Sequence, residues 1–192
     1  EIADSGYFGR PVWRTVAIAY FGFHDPLFDG TVRPLWPGQE YAMALTHAFL
    51  HGDFWHLALN MVVLLAVGKV VAGLVGPVRM ILLFVICAVA GGLTFGLLTE
   101  TNVPMVGASG AVFGFIAFWK QAEFRRRLRL GLGMGPILGL VVALVLANVA
   151  LELFMNIAWQ AHLGGFVAGW AIGMLWHPVT RRDAVLPGVP PG

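Results

Sequence analysis

The stretch Val106–Gly114, VGASGAVFG, organises the reading of the chain. Ser109 stands there behind Gly107 and Ala108 and ahead of Gly110, at the start of an apolar segment that reads as helix through Phe118. The first turn of a helix carries backbone N–H groups without intrahelical partners and the positive end of the helix dipole. A serine at that point can serve as a nucleophile with an oxyanion site beside it. A glycine-serine string serves close helix packing equally well, so the rest of the chain has to decide between the two.

Composition supplies the setting. Of 192 residues 58% are hydrophobic and 11% charged, with a mean hydropathy of +0.79, whereas a soluble domain carries about a quarter charged residues. This is the balance of an all-α integral membrane protein, short enough to be a single domain. The only cysteine, Cys87, lies in an apolar run, which excludes an intramolecular disulfide and argues against redox chemistry. The pI of 9.1 raises the question of nucleic acid, but the arginines are better explained by membrane orientation.

Residues 1–40 contain one apolar run, Val12 to Phe23, interrupted by Arg14. It is too short for a bilayer core, which takes roughly 20 apolar residues, and the segment reads as interfacial or extramembrane. Five spans follow, from Tyr41 to Val67, Val78 to Leu98, Gly107 to Trp119, Gly135 to Phe154 and Trp159 to Trp176. Residues 41–177 thus form the membrane domain, and residues 178–192, rich in Pro and Gly, read as a disordered cytoplasmic tail.

Lys and Arg accumulate on the cytoplasmic side of membrane proteins. Lys69 and Arg79 follow the first span, Lys120, Arg125, Arg126, Arg127 and Arg129 follow the third, and Arg181 and Arg182 follow the fifth. The opposite connections hold Glu100 and Glu152, and the N-terminal forty residues carry Glu1, Asp4, Asp25, Asp29 and Glu40 against Arg10, Arg14 and Arg33. The N-terminal segment therefore faces outward. Something must deliver it across the membrane, and the chain begins with Glu1 rather than Met, so a helix or signal segment is expected upstream of Glu1.

Ionisable and strongly polar groups at membrane depth mark function by default. They are His47, His51, His56 and Asn60 on the first span, Ser109 on the third and His162 on the fifth. His47 and His51 are four apart, as are His56 and Asn60, so each pair shares a helix face. Gly52 and Asp53 suggest a loop giving way to helix, with Asp53 as N-cap. Gly165 and Gly169 near His162, and Gly110 and Gly114 near Ser109, have the small-residue spacing that lets two membrane helices approach. That approach would bring His162 against Ser109, the adjacent base that a hydroxyl nucleophile needs. Phe113, one turn below Ser109, could pack against the imidazole and fix its plane. His24 and His177, near segment ends, read as interfacial or hydrogen-bonded residues.

With these pieces in hand, the sequence resembles the rhomboid family of intramembrane serine proteases. The matching segments are HAFLHGDFWHLALN from His47 to Asn60, GASG from Gly107 to Gly110 and AHLGG from Ala161 to Gly165, within a resemblance spanning about Tyr41 to Trp176. The resemblance implies a rhomboid-like helical bundle whose first helix would lie upstream of this chain. It implies Ser109 as nucleophile and His162 as general base, a dyad with no third carboxylate. His56 and Asn60 would form the oxyanion hole with the Ser109 backbone N–H, His51 would support structure and water near the site, and His47 is a weaker match. A Trp-Arg pair of some members is replaced here by Ala42 and Met43.

The implied activity is hydrolysis of peptide bonds in or beside transmembrane segments of membrane proteins, with no metal and no cofactor. Substrates would be transmembrane proteins met in the lipid bilayer, with no role for nucleic acid. The site would open to the extracytoplasmic side of a bacterial inner membrane. Two alternatives stand beside it: an inactive rhomboid-like protein that binds membrane clients, and a membrane metal or haem protein ligated by His47, His51, His56 and His162. Relatives of the first kind usually lose the Ser or the His, and the second leaves the serine in its glycine setting unexplained.

Overall fold

Asp53 starts a helix of 22 residues. Its backbone is extended at φ −157°, and its carboxylate accepts the His56 N–H at 2.8 Å, which satisfies one of the orphan donors of the first turn. The helix runs over Phe54–Val75 and stops at Gly76, which takes φ +85° before Pro77 opens the next helix. Glycine past a helix end and proline in a first turn are the residues those positions favour.

The computed structural model describes residues 12–155 and 157–175. Among them eight α-helices follow one another: α1 Trp13–Phe21, α2 Asp25–Phe28, α3 Gln39–Thr46, α4 Phe54–Val75, α5 Pro77–Leu98, α6 Ser109–Arg129, α7 Gly135–Met155 and α8 Trp159–Leu175. A single 3-10 turn, His47–Phe49, joins α3 to the approach to α4. The extended pairing among these residues is one antiparallel bridge, Phe23 with Met105.

Among the described residues, only α4 and α5 are both long and apolar enough to cross a membrane unaided. At 22 residues each, they are about 33 Å long, near the hydrocarbon thickness of a bilayer. The apolar stretch of α7 covers Gly135–Ala150, α8 has 17 residues, and α6 turns basic in its second half. Large apolar side chains such as Leu65, Ile81 and Leu138 face outward on α4, α5 and α7. An apolar exterior of that extent is a liability in water and a match for lipid.

The interior has two clusters. Val71 and Val75 of α4, Leu83 and Cys87 of α5 and Phe115 and Phe118 of α6 form one. Phe23, Met43, Phe95, Met105 and Ala161 form the other, which ties the N-terminal segment to the C-terminal end of α5 and the start of α8. Gln39 and Trp36 hold the end of α1, donating to the carbonyls of Ala19 at 2.8 Å and Tyr20 at 3.1 Å.

Glycine decides how close the helices come. A Cβ added at Gly165 would fall on the Gly110 carbonyl oxygen, and one at Gly169 on that of Gly114, so α6 and α8 touch backbone to backbone. In the same way Gly91 of α5 and Gly110 flank the Ala161 carbonyl.

The structure corrects four expectations. The first span does not begin at Tyr41: α3 ends at Thr46, and the chain is broken by the 3-10 turn and an extended link before α4 begins at Phe54. His47 and His51 therefore share no helix face, because the break falls between them. The third helix begins at Ser109 and continues to Arg129, so Lys120 and the arginines expected in a loop ride on helix. Their charges are compatible with helix there because Glu123 pairs with Lys120 at 2.7 Å and Arg127 at 3.0 Å, one turn away on the same face. Arg125 donates to the carbonyls of Gly173 and Met174 at the end of α8, where the helix dipole favours a cation. Glu152 lies in the last turns of α7 rather than in a loop. The expected tail and the segment before residue 12 lie outside the described residues.

Candidate active site

The site is assembled at the head of α6. The Phe23–Met105 bridge, with N–H to O distances of 3.0 and 2.9 Å, pins the strand-like approach, and the Gly107 N–H donates to the His47 carbonyl at 2.9 Å. Gly107 then turns at φ +125°, and helix begins at Ser109. The Val112 N–H closes back on the Ala108 carbonyl, which leaves the amides of the first turn, Ser109 included, without partners inside the helix.

His162 arrives from α8, one turn into that helix, and is buried. Its Nε2 lies 2.8 Å from Ser109 Oγ. Phe113, four residues after Ser109 on α6, stacks over the imidazole with ring centroids 4.3 Å apart and planes 4° from parallel. The glycine contacts between α6 and α8 permit this approach, since any side chain at Gly165 would separate the two helices.

His56 comes from the first turn of α4. The Gly52 N–H points at its Nδ1 at 3.4 Å, which assigns the proton to Nε2 and makes that nitrogen a donor. Nε2 and Ser109 Oγ both lie within 4 Å of the point where a Cβ of residue 107 would stand. Gly107 is thus the gap that admits the His56 ring beside the serine. His51 meets the edge of His56 with centroids 5.1 Å apart, and its Nε2 is buried without a hydrogen bond. The His56 N–H, by binding Asp53, holds the Asp53 carboxyl below the usual carboxylate range.

Asn60 lies one turn beyond His56 and is buried, but its amide donates to the His56 carbonyl at 2.9 Å. One of its two N–H groups is therefore engaged on its own helix. His47 sits apart from the serine: its Nε2 is 3.3 Å from the Ala88 carbonyl, and its ring meets the edge of Phe23. Its place is structural, between α5 and the second cluster. Among the described residues, no three His, Cys, Asp or Glu side chains gather as a metal could use.

Sequence reasoning missed one participant. Asn148 on α7 places its Oδ1 2.6 Å from His162 Nδ1. The signal that singled out the histidines was present for it too, a strongly polar side chain in the middle of an apolar span. Asn148, Phe113 and His162 also line a largely apolar cavity of about 500 Å³ bordered by α6, α7 and α8, with Val145, Val149 and Leu163.

Residues 38–179 match the family described as Rhomboid domain. The chain is 31% identical over 144 residues to RHOMBOID-like protein 4 of Arabidopsis thaliana, covering 75% of this chain and 36% of that protein. It is 30% identical to Rhomboid-like protease 1 of Toxoplasma gondii, covering 73% and 48%, and 31% identical to Rhomboid protein 1, mitochondrial, of Saccharomyces cerevisiae, covering 68% and 40%. The chain spans between a third and a half of the length of these relatives. The match over most of its length, on an all-helical fold, means that the chain belongs to the rhomboid family of membrane-integral proteins.

Proposed function

We propose that this protein is an intramembrane serine endopeptidase whose nucleophile is Ser109 and whose general base is His162. The observation that carries the reading is the 2.8 Å contact between Ser109 Oγ and His162 Nε2, made at the N-terminus of a helix. In the reaction, Oγ passes its proton to Nε2 as it attacks the scissile carbonyl, and His162 returns that proton to the leaving amine. Water, activated by the same imidazole, then releases the acyl-enzyme. The charge that develops on the carbonyl oxygen is met by the Ser109 backbone N–H and the His56 side chain, with the remaining N–H of Asn60 in reserve. One such donor is worth about 3 to 4 kcal/mol in the transition state.

In this reading α4 to α8 are the five membrane-crossing helices of a domain running over residues 41–177, and α1 to α3 form an outward segment. The basic end of α6 faces the cytoplasm and the serine opens to the opposite side. Substrates are transmembrane proteins with a helix that unwinds near small or helix-breaking residues. A bacterial inner membrane suits this orientation.

The test is incubation of the detergent-solubilised protein with a fluorophosphonate and with a generic transmembrane substrate, alongside Ser109→Ala. Labelling and cleavage should both vanish in the variant. Equal labelling of the two proteins sinks the nucleophile assignment, and absence of both activities in the wild type favours a client-binding role.

A further inference from the structure

The hydrogen bonds around Asn148 run in one direction. Its Nδ2 donates to the Leu144 carbonyl at 2.8 Å, one turn earlier on α7. That contact identifies which end of the amide is the nitrogen, and so leaves Oδ1 as the atom 2.6 Å from His162 Nδ1. An amide oxygen only accepts hydrogen bonds. Nδ1 must therefore carry the proton, and in a neutral imidazole the opposite nitrogen is then bare. That opposite nitrogen, Nε2, is the one 2.8 Å from Ser109 Oγ.

We infer that Asn148 is a positioning residue that holds His162 in the tautomer with Nδ1 protonated, so that Nε2 is an acceptor facing the serine. A free imidazole populates both tautomers, and the one with Nε2 protonated cannot take a proton from Oγ. Phe113 fixes the ring plane by stacking but has no say over which nitrogen holds the proton. The amide does, and as a neutral group it puts no ion against Nδ1, although Glu152, one turn further along α7, lines the same cavity.

The location of this group has a second consequence. Asn148 belongs to α7, whose residues Val142, Val145, Leu146 and Val149 are exposed, and the cavity beside α7 opens next to the hydrogen bond itself. Movement of α7 away from α8 would break the tether and release the imidazole to both tautomers.

The catalytic consequence rests on the endopeptidase reading, whereas the tautomer does not, and the test separates them. Histidine labelled with ¹⁵N in the detergent-solubilised protein, with His162→Ala used to assign the signal, reports the protonated nitrogen of His162. The wild type should show Nδ1 protonated. Asn148→Leu, similar in volume but without an acceptor, should show a mixture. It should also lower the fluorophosphonate labelling rate and kcat by about 10- to 100-fold at unchanged KM, the range seen when the hydrogen-bond partner behind a metal-bound histidine is removed. Asn148→Asp keeps an acceptor and should retain the tautomer, with labelling within about threefold of wild type, a change small beside the range just given.

Wild-type labelling by Asn148→Leu, or a wild-type tautomer in that variant, overturns the inference. Should Asn148→Leu fail to fold, Asn148→Ala, which also removes the acceptor, decides, because a wild-type tautomer in that folded variant is equally fatal. A wild type that shows Nδ1 protonation and an Asn148 dependence of it, yet labels no better than Ser109→Ala, leaves the positioning role standing and removes the endopeptidase reading.

Discussion

Replacement of Gly107 by alanine should cripple the reaction through His56 rather than through Ser109. Two effects combine. Backbone at φ +125° is left-handed territory that glycine alone adopts readily, and forcing another residue into such a region costs about 1–3 kcal/mol. The added Cβ would also stand 2.8 Å from His56 Nε2 and 2.9 Å from its Cε1. Ordinary contact is near 3.5 Å, so the ring must retreat by roughly 0.7 Å. A misplacement of this order can lower a rate by up to about 100-fold, and complete loss of an oxyanion donor by about 100- to 1,000-fold. The expected outcome for Gly107→Ala is a labelling rate and kcat about 10- to 100-fold below wild type, with a lowered thermal unfolding midpoint in detergent. The diagnostic measurement is a double-mutant cycle with His56→Ala. If Gly107 exists to admit the His56 ring, then adding Gly107→Ala to His56→Ala should lower kcat little further while still lowering stability. Independent, multiplying losses in kcat would refute the idea that the two residues act together, and a fully active Gly107→Ala would refute the role of the gap altogether.

Other substitutions probe the scaffold around this point. Gly165→Ala should destabilise the protein severely, because its Cβ would fall on the Gly110 carbonyl, whereas Gly139→Ala on α7 meets nothing within 4 Å and should be neutral or stabilising by up to about 1 kcal/mol; similar unfolding midpoints for the two would count against the α6–α8 contact. Phe113→Leu removes the ring stacked on His162 and should lower kcat several-fold, since such aromatic pairs are worth about 0.5–1.5 kcal/mol, a result checked by labelling kinetics. Asp53→Ala should loosen the start of α4 by about 1 kcal/mol, measured by denaturation at neutral pH. Because the folded Asp53 carboxyl lies below its ordinary range, its contribution is complete above that range and disappears as the pH falls through the lowered folded value. Wild type should therefore lose a component of stability in acid that Asp53→Ala never had.

The composition and the four-residue spacing of small and polar side chains were enough to read an all-helical, apolar chain and to single out Ser109, His162, His56 and Asn60. Helix ends flanked by glycine or proline, such as those of α5 and α7, were legible to within a residue or so, because local backbone chemistry sets them. The run from Tyr41 to Val67 misled only in its first half: Gly52 and Asp53 mark the loop and the cap that open α4, but local sequence does not show that the chain must leave helix after Thr46 to place a buried His47 between α5 and Phe23. The basic run after Trp119 misled in the opposite sense, since its charges pair one turn apart on helix.

Residue types, then, carried the chemistry that is possible, because the pattern of polar groups in apolar segments is a property of the chain. Tertiary structure alone decided which groups meet. Ser109 and His162 lie 53 positions apart and touch only because glycines on two helices let their backbones close together. Asn148 reaches the far side of the same imidazole only because α7 lies across the cavity from it. No spacing rule along the sequence encodes a contact between separate helices, since that contact depends on the packing of everything between them.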